Sequence, residues 1–484
     1  MIHIDFNSGT LLLWEEGGGG PEKAPPAGIG GLCTYDARVR RWRAHASAYA
    51  EIITALYHAK VPYDDRARQY EEVNLTLGGG RLPRDYQREA LAAWRVSQRR
   101  GVVVLPTGTG KSFLAQLAMA ACNRSTLVVA PTIDLISQWA VQLRAAFGCP
   151  VGLLGGGEHD IQPITVATYD SAQQQMEYLG NRFALLVVDE CHHLPGAMYS
   201  QIARLCIAPF RLGLTATPER QDGLDSAYAE LLGPICYRRE ITDLSPEGVL
   251  APYETIPIDT ELDPDEQELY NRNRARYLDF LHRNRISLAS PKGWGAFLRM
   301  CSQQADGRAA MEAYLTQRRI SRGSRSKLRR VWELIVAHRS DRVIVFTADN
   351  SSAYQLGAAF GLPVITHHTK AGERAELLER FREGAYPVLV TSKVLNEGVD
   401  VPAANVGIVV SGSGSVREHV QRLGRILRPS PGKTAVLYEL VSMGTAEVYV
   451  SERRRQHPAY DGTPPPEGDW NDDVVELWED DPSC

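Results

Sequence analysis

Residues 101–112 read GVVVLPTGTGKS. Val102, Val103, Val104 and Leu105 form a short, β-branched apolar run, which reads as a strand buried on both faces of a parallel sheet. Pro106 ends that strand. Thr107, Gly108, Thr109 and Gly110 supply a tight turn, and Phe113 to Ala121 continues as an apolar helix. A strand, a glycine-rich turn and a helix N-terminus together aim backbone N–H groups at an anion. In that frame Lys111 reaches the β- and γ-phosphates of a nucleotide, and Ser112 ligates magnesium. The strict pattern has glycine where Leu105 stands, so the loop needs partners downstream. The alternative is a Gly/Thr-rich turn with an isolated lysine.

A chain of 484 residues implies two to four domains. Its eight cysteines form no CxxC pair and no zinc spacing, which points to free thiols in a reducing compartment. No apolar run approaches the roughly 18 residues of a membrane span, and no basic segment precedes an apolar one at the N-terminus. A soluble intracellular protein with no membrane partner is expected. The net charge of −5 does not by itself suggest nucleic acid; the local distribution does.

Ile2, Ile4 and Phe6 alternate with polar residues, and Asn7-Ser8-Gly9 is a turn signal before Leu11–Trp14, predicting a small hairpin. Residues 17–31 are a Gly/Pro-rich loop. Tyr49, Ile52, Ile53 and Leu56 share one helical face, and Gly78-Gly79-Gly80 reads as a linker. Residues 1–80 are therefore expected to be a small α/β module with a packing role. From Leu82 the pattern turns to strands alternating with helices, with apolar runs at Thr126–Ala130, Ile164–Thr168, Ala184–Val188 and Leu212–Thr215. It recurs at Val343–Phe346, Val388–Val390, Val406–Val410 and Val436–Leu440. The expected fold class is α/β: two doubly wound parallel-sheet domains, the first alone carrying a phosphate loop. One nucleotide held in a cleft between the two domains follows as an expectation.

Between Tyr270 and Arg330 stand 15 Lys and Arg against three acidic residues, Asp279, Asp306 and Glu312. A basic helical stretch in an acidic protein is a candidate nucleic-acid surface, with Arg318, Arg319 and Arg322 its proposed phosphate contacts. A solvated helical face is the alternative. The tail from Asp461 to Cys484 has nine acidic residues and no basic ones. It reads as disordered; an acidic mimic competing with DNA for the basic insertion is the sharper possibility.

ALLVVDECHH, residues 184–193, ends an apolar strand in two carboxylates, where open α/β sheets place their ligand chemistry. Asp189 can hold Mg²⁺ and Glu190 can deprotonate the attacking water. An Asp-Glu pair alone is weak; about 80 residues after a phosphate loop it is specific. His192 and His193 are expected on opposite sides of an extended segment, which disfavours metal ligation and leaves His192 as a polar relay.

With these residues in view, the chain resembles superfamily-two helicases, in which a residue other than glycine at the Leu105 position is usual. Asp189-Glu190-Cys191-His192 resembles their DExH box, and Thr215-Ala216-Thr217 the motif that couples ATP state to nucleic-acid grip. Arg84-Asp85-Tyr86-Gln87 resembles the adenine-reading segment, where the Gln87 amide could pair with an adenine edge. Pro131-Thr132 and Thr168-Tyr169 match strand-contacting motifs. In the second half, Val345-Phe346-Thr347 resembles motif four. Gly398-Val399-Asp400 in VTSKVLNEGVDVP, a run whose second residue, Thr391, is a DNA-contact candidate, resembles motif five. Gln421-Arg422-Leu423-Gly424-Arg425-Ile426-Leu427-Arg428 resembles motif six. Arg425 and Arg428, at i and i+3, would place cations on the phosphoryl group in transit. The dialect is similar to the XPB group over about 80–460.

That resemblance implies a damage-recognition-like domain at 1–80, a RecA-like motor domain at 81–245, a second at 246–460 with a thumb-like insertion at about 262–325, and the tail at 461–484. The family's Arg-Glu-Asp element would fall on Arg220, Gln221 and Asp222, where Gln replaces Glu. It further implies ATP and Mg²⁺ as cofactors, single-stranded or forked DNA as partner, and 3′–5′ movement in repair or transcription. The location would be the prokaryotic cytoplasm at the nucleoid, or the nucleus in a eukaryote. The short length resembles prokaryotic members, some of which work with a nuclease. Three readings stand at this stage: a motor that opens DNA, an ATP-dependent switch that anchors DNA and loads a partner, and an RNA helicase.

Overall fold

Asn7 and Thr10 face each other across a two-residue turn in which Ser8 (φ 44°) and Gly9 (φ 75°) are both left-handed. That backbone matches the twist of the strands it joins, Ile2–Asn7 and Thr10–Glu15, and produces the expected hairpin. The computed structural model describes residues 1–15, 29–218, 227–244, 249, 251, 253–288, 292–392, 404–412 and 435–455. Two compact units divide the chain, Met1–Arg239 and Glu240–Cys484.

In the first unit the hairpin belongs to a five-stranded sheet in the order Thr34–Asp36, Arg41–His45, Thr10–Glu15, Ile2–Asn7, Tyr63–Asp65. Helix Tyr49–His58 covers it and buries Tyr49, Ile52 and Leu56 against Ile2, Ile4, Leu11 and Leu13. Gly78 N–H then donates to Ala146 O, tying the glycine stretch to helix Ile133–Phe147.

That second sheet has eight strands, ordered Ile235–Arg238, Arg100–Val104, Phe210–Thr215, Leu185–Asp189, Thr126–Ala130, Ile164–Thr168, Gly152–Gly155, Glu158–His159. All pairings are parallel except the last. Its central strands are wholly buried because helices cover both faces, which is why they read as unbroken apolar runs. The DExH strand runs one residue later than expected, to Asp189, since Asp189 still pairs with Leu214.

In the second unit six parallel strands run in the order Tyr253–Thr260, Ala435–Ser442, Val406–Val409, Val343–Phe346, Val388–Thr391, Val364–Ile365. The edge strand Tyr253–Thr260 was absent from the sequence reading, because its burial alternates and it carries Pro257. Helices Pro264–Arg283, Gly293–Gln303 and Gly307–Arg322 follow it and share an aromatic core of Tyr277, Phe280, Phe297 and Tyr314. Leu328, Val331 and Ile335 return to the sheet, as their spacing predicts.

A buried cation in strand Phe210–Thr215 ties the 206–208 segment and the end of helix Ala227–Leu231 to the sheet. Arg211 is fully buried and donates to Ala208 O (3.1 Å), Leu231 O (2.5 Å) and Cys206 O (2.8 Å). Burial pushes its pKa down to about 10, with Arg100 adding to the effect. Replacing Arg211 by Met would leave three buried carbonyls without their donor, at about 1–3 kcal/mol each. The first unit should then melt several degrees earlier by circular dichroism. An unchanged melting curve would mean that other donors reach those carbonyls.

Candidate nucleotide site and nucleic-acid interface

The phosphate loop forms because two of its residues, Gly108 (φ 86°) and Gly110 (φ 82°), take the left-handed backbone that only glycine adopts cheaply. Thr109 Oγ1 donates to Pro106 O at 2.7 Å and closes the turn. Helix Lys111–Cys122 starts directly from Gly110, so Lys111 and Ser112 stand in its first turn. Lys111 is buried and its Nζ donates to Leu105 O at 3.1 Å. Thr107 Oγ1 is buried and has no hydrogen-bond partner among the described residues.

Gln87 is placed beside this loop, but its amide is engaged with protein. Nε2 donates to Thr109 O at 3.1 Å, and Oε1 accepts from Arg84 N–H at 3.1 Å. Tyr86 OH also donates to Thr109 O, at 2.5 Å. These bonds tie the Arg84–Gln87 turn to the loop. Sequence reasoning missed Arg81, whose guanidinium lies 4.1 Å from the centre of the Phe113 ring, next to Gly110.

The strand ends of Arg100–Val104, Phe210–Thr215 and Leu185–Asp189 are neighbours, so the loop, the TAT segment and the DECH segment emerge side by side. Asp189 is buried; its Oδ1 accepts from Glu190 N–H (3.0 Å) and its Oδ2 from Trp139 Nε1–H (2.8 Å). Burial pushes this carboxyl up from the ordinary range, while the Lys111 ammonium and the Trp139 N–H hold it down. Glu190 sits at φ 46°, ψ 51°, a left-handed conformation that a glutamate adopts only under constraint. Tyr169 OH donates to the carbonyls of both Asp189 (2.9 Å) and Glu190 (3.1 Å) and fixes that bend.

From Glu190 a polar chain runs into the next strand. His192 Nδ1 lies 3.4 Å from Glu190 Oε2 and 3.1 Å from Thr215 Oγ1. Thr215 Oγ1 donates to Thr217 O and accepts from Thr217 N–H, with buried Ala216 between them. His192 and His193 are not on opposite sides of an extended segment, as expected. Residues 191–193 form a 3₁₀ turn and the two rings lie 4.2 Å apart. Among the described residues no group of three or more His, Cys, Asp or Glu could hold a metal ion by itself. The Asp189 carboxylate and Ser112 hydroxyl are hard oxygen donors of the kind Mg²⁺ takes alongside phosphate oxygens.

Thr132, which follows Pro131, caps helix Ile133–Phe147, and Thr168 caps helix Tyr169–Leu179. Each hydroxyl accepts from an N–H three residues on. Between these helix starts lies a feature the sequence reading passed over: Gly155, Gly156 and Gly157, all at positive φ. A Cβ on Gly155 would come within 2.8 Å of Thr168 Cγ2. The run GGG was the available signal.

In the second unit Thr347 and Thr391 are fully buried; Thr347 Oγ1 donates to Asp349 O and Thr391 Oγ1 to Ser392 O. Arg318 donates to Tyr314 OH at 2.6 Å, Arg322 lies 3.4 Å from Asp349, and Arg319 is exposed. Elsewhere in the insertion a cavity of about 480 Å³ is lined by Arg285, Lys292 and Arg299. Arg220, Asp222, Gly398, Asp400, Gln421, Arg425, Arg428 and the acidic tail lie outside the described residues.

A GTGKS loop, a DECH strand end and a TAT strand end on adjacent parallel strands define the class: a superfamily-two helicase core. Three family models match: the XPB helicase damage recognition domain at 4–67, the type III restriction enzyme res subunit at 81–220, and the ERCC3/RAD25/XPB C-terminal helicase at 316–462. A DNA 3′–5′ translocase XPB2 of Sulfurisphaera tokodaii is 41% identical over 373 residues, 77% of this chain and 84% of that protein. The chain belongs to the XPB family. A DNA 3′–5′ helicase XPB of Mycobacterium tuberculosis is 31% identical over 77% of this chain, which spans 63% of that relative's length. The Hef helicase domain of Pyrococcus furiosus shares the fold, with a TM-score of 0.53 and 19% identity over 77% of this chain and 98% of that one.

Proposed function

We propose that the protein is a DNA-dependent ATPase that moves 3′–5′ along DNA and opens it, in repair or transcription. The observation that carries this reading is the phosphate loop, Asp189–Glu190 and the Glu190–His192–Thr215–Thr217 chain converging on adjacent strand ends. Lys111 holds the β- and γ-phosphates. Ser112 and Asp189 would hold Mg²⁺, which would supply positive charge against the phosphates. Glu190 takes the proton of the attacking water, and Arg425 and Arg428 meet the charge that develops on the phosphoryl group in transit. Gln421 acts with them in the chemistry, and Arg84, Gln87, Gly398 and Asp400 complete the nucleotide contacts. His192 and Thr215 to Thr217 carry the state of Glu190 toward the elements that grip DNA.

Single-stranded or forked DNA is the proposed ligand. Pro131, Thr132 and Thr168 would meet its backbone at two helix starts, with the bare glycine run 155–157 admitting close approach. Arg220 and Asp222 are retained as contact candidates; Thr347 and Thr391 are fully buried, with their hydroxyls bonded to backbone carbonyls, and offer DNA no side-chain surface. The relatives' names support DNA as the track: one is a DNA 3′–5′ translocase, and another, from Dictyostelium discoideum, is a subunit of a general transcription and DNA repair factor. A nuclease partner and a nucleoid location are further proposals. Among the described residues no helix is long and apolar enough to cross a membrane. The domain divisions at 80, 245 and 460 are kept as part of this reading. ATP turnover measured with single-stranded DNA, duplex DNA and RNA tests it: DNA should stimulate and RNA should not. Stimulation by RNA alone would overturn it.

The basic insertion gives a separate prediction. Each phosphate neutralised on duplex DNA adds roughly −0.9 to the slope of log affinity against log salt. Replacing Arg318, Arg319 and Arg322 by Ala should flatten that slope and weaken all sequences alike. A parallel triple change at Arg285, Lys292 and Arg299, which line the cavity of the same insertion, should flatten it as well. If neither triple alters the slope, the insertion is a solvated helical face. Truncation after Tyr460 should tighten binding at low salt if the acidic tail shields the insertion.

A further inference from the structure

Trp139 is almost fully buried in helix Ile133–Phe147, fifty residues before the carboxylate that it touches. A buried indole N–H requires an acceptor, and a backbone carbonyl would satisfy it. Here the acceptor is Asp189 Oδ2, at 2.8 Å, while Asp189 Oδ1 takes the Glu190 N–H at 3.0 Å. One donor per oxygen fixes the rotation of the carboxylate plane. Each oxygen keeps lone-pair capacity for a cation.

The two donors differ in kind. Glu190 N–H belongs to the same turn as the carboxylate and moves with it. The indole comes from helix Ile133–Phe147 and anchors the carboxylate of the strand end to that helix. Without it, the Asp189 side chain could turn about its own bonds while the strand stayed in place. A core-filling aromatic would need no N–H at this position, and phenylalanine would serve.

We propose that Trp139 is a positioning residue for the nucleotide site: its indole N–H holds the Asp189 carboxylate in the orientation that receives Mg²⁺ with the nucleotide. The proposal rests on the assignment of Asp189 as a magnesium ligand. Partners that orient a metal ligand typically account for 10- to 100-fold in metal affinity, so loss of this hydrogen bond should raise the Mg²⁺ concentration needed by about tenfold.

The test uses the full chain and the Mg²⁺ dependence of binding of a fluorescent ADP analogue, which needs no turnover. Two variants remove the donor: Trp139→Phe, and Trp139 replaced through a suppressed stop codon by benzothienylalanine, which keeps the shape and exchanges N–H for sulfur. Both should shift half-saturating Mg²⁺ upward by about tenfold while binding in EDTA stays unchanged. If Trp139→Phe does not fold, the isosteric variant decides. An unshifted Mg²⁺ dependence in a folded variant overturns the role of Trp139. Asp189→Asn separates the two claims: if it also leaves the Mg²⁺ dependence unchanged, the assignment of Asp189 has failed instead.

Discussion

Lys111→Ala should abolish ATP turnover while leaving the fold intact. The loop is shaped by Gly108, Gly110 and the Thr109–Pro106 bond, none of which involves the lysine side chain. What the lysine contributes to the protein alone is a hydrogen bond to Leu105 O, about 1 kcal/mol of stability, and its attraction for the buried Asp189 carboxyl. Its contribution to ATP is the only cation assigned to the β- and γ-phosphates in the loop. Turnover with saturating DNA should fall to background and the melting temperature should barely move. A variant that keeps most of its DNA-stimulated turnover would show that the loop is not the site. Glu190→Gln separates binding from chemistry. The Asp189 carboxylate remains, so ATP should bind, while loss of the base should slow hydrolysis by roughly 10²–10⁴-fold. Equal loss of ATP binding in that variant would make Glu190 a ligand.

Arg425→Ala and Arg428→Ala carry the second large effect. Negative charge spreads over the equatorial oxygens as the phosphoryl group passes, and little covalent work is left for the protein. A cation placed there acts on the transition state far more than on bound ATP. Each substitution should therefore cut turnover by roughly 10³-fold, with a much smaller change in ATP affinity. Single-turnover hydrolysis beside equilibrium binding of a non-hydrolysable analogue measures both quantities. Normal turnover in the double variant would remove the pair from the chemistry.

Much of this architecture was legible because parallel strands covered on both faces are written as unbroken apolar runs. Thr126–Ala130, Ile164–Thr168 and Val343–Phe346 fall where the sequence puts them. The phosphate loop was legible because only glycine supplies two left-handed turns there. Edge strand Tyr253–Thr260 was not, since an edge need not be apolar and tolerates Pro257. Contacts between distant residues were also invisible. Nothing in the local pattern pairs Trp139 with Asp189, or sends the Arg211 guanidinium to three carbonyls. The bond from the Gln87 amide to Thr109 O was invisible for the same reason. The two adjacent histidines were read as extended because they follow a strand, yet the left-handed Glu190 starts a 3₁₀ turn instead.

The central claim is that ATP hydrolysis at this site drives directional opening of DNA. Strand displacement on duplexes with a 3′ or a 5′ single-stranded tail, with ATP and Mg²⁺ and with Lys111→Ala as the control, tests it most directly. Displacement of the 3′-tailed duplex alone, lost in Lys111→Ala, is the predicted result. DNA-stimulated ATP turnover with neither duplex opened would contradict the claim and favour a switch that anchors DNA.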